Sequence, residues 1–123
     1  MSLHPDLVAV ETLRAHLPSF AGPYLELAAD YGEDLTAQVV FHELADLVAA
    51  ALRTGTHERF LEEAFDALEH VAALERADAV EAVGLCFLGA LPDEVLALAD
   101  AYLGPRTEAM LDALLEGTLD LEG

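Results

Sequence analysis

The sequence predicts an all-α fold, a compact bundle of about seven helices packed around one buried central helix. Three observations lead to this prediction. Apolar residues recur with the 3.6-residue period of a helix, prolines precede these patterns while glycines follow them, and no useful alternating apolar–polar run indicates a strand. Proline suits the first turn of a helix, where its missing N–H has no consequence, and glycine suits the position after the last turn.

The predicted helices follow one another with short connections, at about 5–17, 23–31, 34–53, 56–74, 76–91, 92–103 and 105–116. Helix starts are marked by Pro5, Pro23, Pro92 and Pro105, and Pro18 ends the first helix. Helix ends are marked by Gly32, Gly55, Gly104 and Gly117. The apolar stripe of the first helix is Leu7, Val10, Leu13 and Leu17. That of the third is Val40, Leu44, Leu47 and Ala51, and that of the fourth is Phe60, Leu61, Phe65, Leu68, Val71 and Ala72. Because the loops are short, consecutive helices are predicted to pack antiparallel.

The fifth predicted helix differs from the others because it has no polar side. Within residues 80–91, Glu81 is the single charged residue. A helix that is apolar all round is buried all round, so this one is predicted to be the centre of the bundle, with Leu85, Phe87 and Leu88 buried. Gly84 and Gly89 each weaken it by roughly 1 kcal/mol. Either a neighbouring helix approaches closely there, or the glycines are simply tolerated. A HEAT-like solenoid of helix pairs is the alternative architecture.

Length and composition indicate one acidic domain. The chain has 123 residues; the domain is predicted to span 4–121, while residues 1–3 and 122–123 resemble expression-vector remnants. The net charge is −19 and no lysine is present. Such a surface repels phosphate backbones and anionic lipid, which argues against nucleic acid and membranes as partners. It would attract a basic protein, although acidity also keeps an apolar-rich chain soluble.

No segment of the sequence indicates a membrane or an oxidising compartment. No run approaches the roughly 18 apolar residues of a membrane span, and no signal peptide opens the chain. The single cysteine, Cys86, lies in an apolar run and is predicted to be a buried, inert thiol. The protein is therefore expected in the cytoplasm. The sequence indicates no particular oligomeric state.

One short stretch, FHELAD at residues 41–46, resembles the start of a zinc-protease helix, where a glutamate lies between two histidines one turn apart. Here His42 and Glu43 are present, but Asp46 occupies the second ligand position. A second pair, Asp66 and His70, lies on the fourth predicted helix. On a helical wheel each pair lies roughly 160° from the apolar stripe of its own helix. The two pairs are therefore not expected to converge, and no metal is expected.

Other catalytic signatures are missing from the sequence. It has no Glu-x-x-His motif of the di-iron bundles, no phosphate-binding loop and no dinucleotide fingerprint, and neither serine lies in a nucleophile elbow. No cofactor is therefore expected, and enzymatic activity is not favoured. The alternative is a small metal-dependent hydrolase that uses His42, Glu43 and Asp46.

Three segments, PYLELAADYGEDL, VVFHELADLV and AYLGPRTEAML, together resemble an uncharacterised bacterial family of small acidic all-helical proteins. The resemblance covers residues 20 to 116 approximately, and it carries over no catalytic residues. Some small acidic proteins of this general type neutralise toxins, an analogy of charge and size. We therefore predict a non-catalytic protein-binding module, in its specific form an immunity-type inhibitor of a basic toxin. Its acidic face on the fourth helix is predicted to comprise Glu58, Glu62, Glu63, Asp66 and Glu69. The same residues also fit an ordinary solvated face.

Overall fold

A computed structural model describes residues 5–74 and 76–117, except the side chains of residues 5–7 and 78. The predicted vector remnants at 1–3 and 122–123 lie outside the described residues. The described part of the chain is all-α, and its helices are α1 Pro5–His16, α2 Ala21–Tyr31, α3 Ala37–Thr54, α4 Glu58–Ala72, α5 Ala77–Val80, α6 Asp93–Ala99 and α7 Pro105–Glu116. Short 3₁₀ turns flank several of them, at Pro18–Phe20, Gly32–Asp34, Leu88–Ala90 and Asp100–Tyr102.

The helix ends follow from identifiable residues. Thr36 begins α3, because its side-chain oxygen accepts a hydrogen bond from the Val39 N–H at 3.3 Å. Gly32, Gly55 and Gly117 follow α2, α3 and α7 with φ of 56°, 66° and 74°, a region that favours glycine. The roles predicted for these three glycines are confirmed.

The prediction that Gly104 ends the helix before it is wrong. Its backbone is extended, with φ −86° and ψ 176°, and it precedes α7 instead of ending the helix before it. The preceding segment ends in the Asp100–Tyr102 turn, and Pro105 begins α7 immediately afterwards. Gly104 is the residue directly before Pro105, so it occupies the N-cap position of α7.

The bundle is held by contacts between helices far apart in the sequence. α1 packs against α4, α3 packs against α6 and the segment that follows α5, and α7 packs against α4. The prediction that consecutive helices pair is therefore only partly right. In a solenoid each repeat contacts its immediate neighbours, so these distant contacts identify a compact bundle and exclude the HEAT-like alternative. α2 buries no side chain completely.

The predicted central helix is wound irregularly. α5 continues without a break into a π-helical segment, Glu81–Phe87, and then into the turn Leu88–Ala90. Phe87 and Leu88 are fully buried, as predicted, but Leu85 is 39% exposed. The prediction of burial on every side is wrong at Leu85, because a π-helix turns its side chains through a smaller angle per residue than an α-helix. Cys86 is half-buried and packs against the core, so the prediction of a buried thiol is only partly right.

The two glycines of this segment differ in their surroundings. A Cβ added at Gly89 would lie 3.4 Å from the Gly84 carbonyl oxygen and 3.9 Å from Leu114 Cδ2 on α7. The Gly84 residue itself is buried. Both distances are ordinary van der Waals contacts, so at Gly89 the structure supports the interpretation that the glycine is tolerated.

Aromatic side chains connect the core to the surface beside α4. Phe65 of α4 meets Phe87 edge-on, with ring centroids 5.9 Å apart and planes at 81°. On its other side Phe65 stacks against Tyr102, at 5.7 Å and 20°. Rings in these arrangements attract one another beyond simple burial. They fix the Asp100–Tyr102 turn against α4.

Within the described residues, no single helix is both long and apolar enough to cross a membrane. Two segments bent by 115°, Glu81–Ala90 and Asp93–Tyr102, reach the necessary length and hydropathy only when taken together.

Candidate functional site

A cleft lined by carboxylates runs along α4. The apolar side of this helix is buried, so its acidic residues lie on the side that faces solvent. Four of them line an open cleft of about 590 Å³, here called the acidic cleft: Glu58, Glu62, Asp66 and Glu69. The other lining residues are Phe65, Ala101, Tyr102, Gly104 and Pro105. The acidic cleft therefore combines a row of negative charges with an aromatic and backbone surface, and its lining contains no basic residue.

Glu69 is tied to the start of α7. Its carboxylate accepts hydrogen bonds from the backbone N–H groups of Arg106, at 3.1 Å, and Thr107, at 2.6 Å. The first N–H groups of a helix have no partner within that helix, and negative charge beside them is stabilised by the helix dipole. Gly104 makes room for this contact, because a Cβ at that position would overlap the Glu69 side chain. Glu69 is therefore a helix cap that α4 supplies to α7.

The other three carboxylates of the acidic cleft are exposed. Asp66 lies 3.6 Å from His70 Nδ1, one turn along the helix. No ion pair of the described residues involves Glu58 or Glu62. Three carboxylates on successive turns are thus available to a ligand.

Glu63, the fifth member of the predicted acidic face, does not line the acidic cleft. It lies 3.5 Å from Arg59 Nε on the same helix. A helix places residues one position apart about 100° around its axis, so Glu62 and Glu63 point in different directions. The structure therefore brings four of the five predicted residues together in the acidic cleft. The fifth, Glu63, pairs with Arg59 outside it.

A second concavity continues from the acidic cleft. It has a volume of about 280 Å³ and is here called the leucine pocket. Its lining residues are Leu52, Leu61, Leu98, Tyr102, Gly55, Thr56 and Glu58. Glu58 and Tyr102 line both concavities. This pocket is not predicted by any pattern in the sequence. Its one signal was Leu98, an apolar residue on the outer side of α6 that is 47% exposed.

The two His–Asp pairs lie on exposed helix faces, as the helical wheel predicted. His42 Nδ1 and Asp46 Oδ2 are 4.0 Å apart, and both side chains are mostly exposed. His70 Nδ1 lies 2.9 Å from the Asp66 backbone oxygen, and its ring stacks on His16 of α1 at 3.8 Å. Among the residues that the structure describes, no three histidine, cysteine, aspartate or glutamate side chains are placed to hold a metal ion. The hydrolase alternative at His42, Glu43 and Asp46 therefore has no third ligand within the described ranges.

Two further histidines lie at helix ends. His16 is the last residue of α1, and His57 immediately precedes α4, in the left-handed conformation with φ 60°. His4 lies outside the described residues.

No family model matches the chain, and no curated protein or solved structure is significantly similar to it. The resemblance to a bacterial family of small acidic helical proteins therefore stays a prediction.

Proposed function

We propose that this protein is a non-catalytic binding module whose acidic cleft receives a basic segment of a partner protein. The observation that carries the proposal is the row formed by Glu58, Glu62 and Asp66 beside the concave surface of Tyr102 and Pro105. These carboxylates face no basic side chain within the cleft, and the net charge of −19 extends their negative potential outward.

The spacing of the row favours an extended cation over a metal ion. Residues four apart on a helix are separated by a rise of about 6 Å, so the row spans about 12 Å from Glu58 to Asp66. A calcium or magnesium ion needs its oxygen ligands within about 2.0–2.6 Å. An extended peptide presents every second side chain on one face, at roughly 6.6 Å intervals. Alternating lysine or arginine residues would therefore meet successive carboxylates.

Exposed charges determine which properties of such a complex are expected. A solvent-exposed ion pair contributes about 0–1 kcal/mol, so the charges alone give moderate affinity. Complementary potentials mainly raise the rate of encounter, and salt screens them. Binding should therefore be fast and sensitive to ionic strength.

In its specific form, the proposal makes the partner a basic toxin that this protein inhibits in a bacterial cytoplasm. The support is the analogy of size and charge with small acidic inhibitor proteins. The acidic cleft would cover a basic surface of the toxin, and no chemistry by the inhibitor would be needed.

The test uses a fluorescein-labelled peptide of about nine residues with alternating lysine and serine, followed by fluorescence anisotropy. Wild-type protein should bind it, and binding should weaken as salt rises from about 50 to about 200 mM. The triple variant Glu58→Lys, Glu62→Lys, Asp66→Lys should lose at least roughly tenfold in affinity, since three contacts become repulsive.

A matched control is available on α7. Glu108, Asp112 and Glu116 are exposed, share the one-turn spacing of the cleft residues and also begin in the first turn of their helix. Their replacement by lysine changes the net charge equally but leaves the acidic cleft intact, so affinity should fall by no more than about threefold. Equal losses in both triple variants, with folding verified by circular dichroism, would show a general charge effect and overturn the proposal.

A further inference from the structure

Resting on the proposed function, we infer that the bound segment also carries one bulky apolar side chain, which enters the leucine pocket. The partner chemistry is thus a basic segment with an apolar anchor at one end of its row of charges. The inference is carried by the continuity of the leucine pocket with the acidic cleft through Glu58 and Tyr102.

The leucine pocket is assembled from three separate parts of the chain. Leu52 comes from the end of α3, Leu61 from the second turn of α4, and Leu98 with Tyr102 from α6 and the turn after it. Arg53 Nη2 and Glu94 Oε1, 2.9 Å apart, join α3 to α6 next to these walls. Because packed helices form its walls, the pocket exists before any partner arrives, which lowers the entropy lost on binding.

Leu98 contributes an exposed apolar surface to the leucine pocket. Leu52 and Leu61 are 7% and 2% exposed, whereas Leu98 is 47% exposed. A single exposed leucine on a convex surface is ordinary, but this one lines a concavity where an inserted side chain would cover it. Burial of apolar area is favourable by about 25 cal/mol per Å², so an apolar anchor gains free energy there.

Charge complementarity decides what kind of partner supplies the anchor. Glu58 stands at the junction of the two concavities, with Glu62 and Asp66 beyond it, so the residues next to the anchor must be basic. A second copy of this chain is a poor occupant, because two molecules of charge −19 repel each other.

The geometry also gives the order of residues in the segment. The leucine pocket adjoins the Glu58 end of the row, and Glu62 and Asp66 follow at about 6 and 12 Å along α4. In an extended segment those distances correspond to the second and fourth residues from the basic residue that meets Glu58, which itself lies next to the anchor. The recognised pattern is therefore an apolar anchor followed by basic-x-basic-x-basic, in one chain direction or the other.

The experiment compares two labelled probe peptides. Both have a lysine–serine alternating core, and one carries leucine at each end so that either chain direction presents an anchor, while the other carries alanine there. The leucine peptide should bind wild-type protein roughly five- to twentyfold more tightly, since an open pocket buries most of the extra carbons. Equal binding of the two peptides would overturn the inference and leave the proposed function standing.

Protein variants locate the effect. Leu98→Ala should remove the advantage of the leucine peptide while the alanine peptide binds as before. The matched control Leu115→Ala, at a leucine of α7 that is 68% exposed, should leave the advantage intact. An advantage that survives Leu98→Ala would place the anchor elsewhere and overturn the inference. If neither peptide binds wild-type protein, the proposed function itself fails. Sedimentation that shows a dimer dissociated by Leu98→Ala would assign the pocket to a second copy and also overturn the inference.

Discussion

At the scale of single residues, Glu69 performs a task that its neighbours on α4 do not. Glu58, Glu62 and Asp66 are exposed in the acidic cleft, whereas the Glu69 carboxylate accepts two backbone hydrogen bonds from α7. Hydrogen bonds to a charged group are stronger than neutral ones, and a capping carboxylate also interacts favourably with the helix dipole. Substitution of residues in the same row should therefore have unequal effects on stability.

Glu69→Ala should destabilise the protein by roughly 1–2 kcal/mol, the usual effect of removing a helix cap. Glu69→Gln, which keeps a neutral acceptor, should lose about half as much. Urea denaturation followed by circular dichroism measures both. The control is Glu62→Ala on the same helix face, expected within about 0.5 kcal/mol of wild type. Equal losses at positions 62 and 69 would contradict the capping role.

Sequence reasoning placed Glu69 on the solvent side of α4 but could not assign it to α7. The 3.6-residue period determines which side of a helix a residue occupies. It carries no information on which distant segment reaches that side. Gly104 held a clue, since a glycine directly before the proline that begins a helix can admit a neighbouring side chain. Only the packing of α7 against α4 shows which side chain that is.

At the scale of elements, the segment after α5 shows that apolar composition predicts a helix but not its type of winding. The apolar run predicted a helix over residues 76–91, and the structure has helical winding there. It did not predict that residues 81–87 adopt π-helical hydrogen bonding, because π and α windings use the same residue types. Leu85 was consequently assigned to the core, and the structure places it partly outside.

Gly84→Leu should destabilise the protein by roughly 1–3 kcal/mol, because Gly84 is buried in the π-helical segment and a large side chain would overpack its surroundings. Chemical denaturation measures the change. Gly22→Ala is the control, since a Cβ at Gly22 would meet no atom within 4 Å and alanine favours helix more than glycine does. The control should leave stability unchanged or raise it slightly. An unchanged midpoint for Gly84→Leu would mean that space exists beside Gly84.

At the scale of the whole molecule, charge opposes compactness. A net charge of −19 on 123 residues produces repulsion that folding increases by bringing carboxylates closer together. At about 0.01 M salt the screening length is roughly 30 Å, so most of the carboxylates repel one another; at about 0.1 M it falls to about 10 Å.

Raising sodium chloride from about 0.01 to about 0.2 M should therefore raise Tm by a few degrees, equivalent to roughly 1 kcal/mol. Thermal unfolding by circular dichroism measures the shift. Choline chloride, whose bulky cation screens charge but fits no compact carboxylate site, should act equally well. A rise with sodium alone would indicate bound cations instead of screening, and a constant Tm would contradict the repulsion argument.

The number of helices and their approximate bounds were predictable from the sequence. Which helices pack against each other was less predictable. Periodicity and the prolines and glycines are local signals, and they identified α1 to α7. The contact of α1 with α4 depends on how whole helices fill space together, which no local signal records. For the same reason the leucine pocket, made from α3, α4 and α6, was not foreseen, although Glu58 in its lining was.

The local stability of α2 should be lower than that of the rest of the bundle. α2 packs against the core through side chains that are only partly buried, among them Tyr24 and Leu27, so its opening should require less free energy than global unfolding. No residue of α2 lines the acidic cleft or the leucine pocket. We therefore expect residues 21–31 to open before the walls of both concavities, built on α3, α4, α6 and α7, lose their shape.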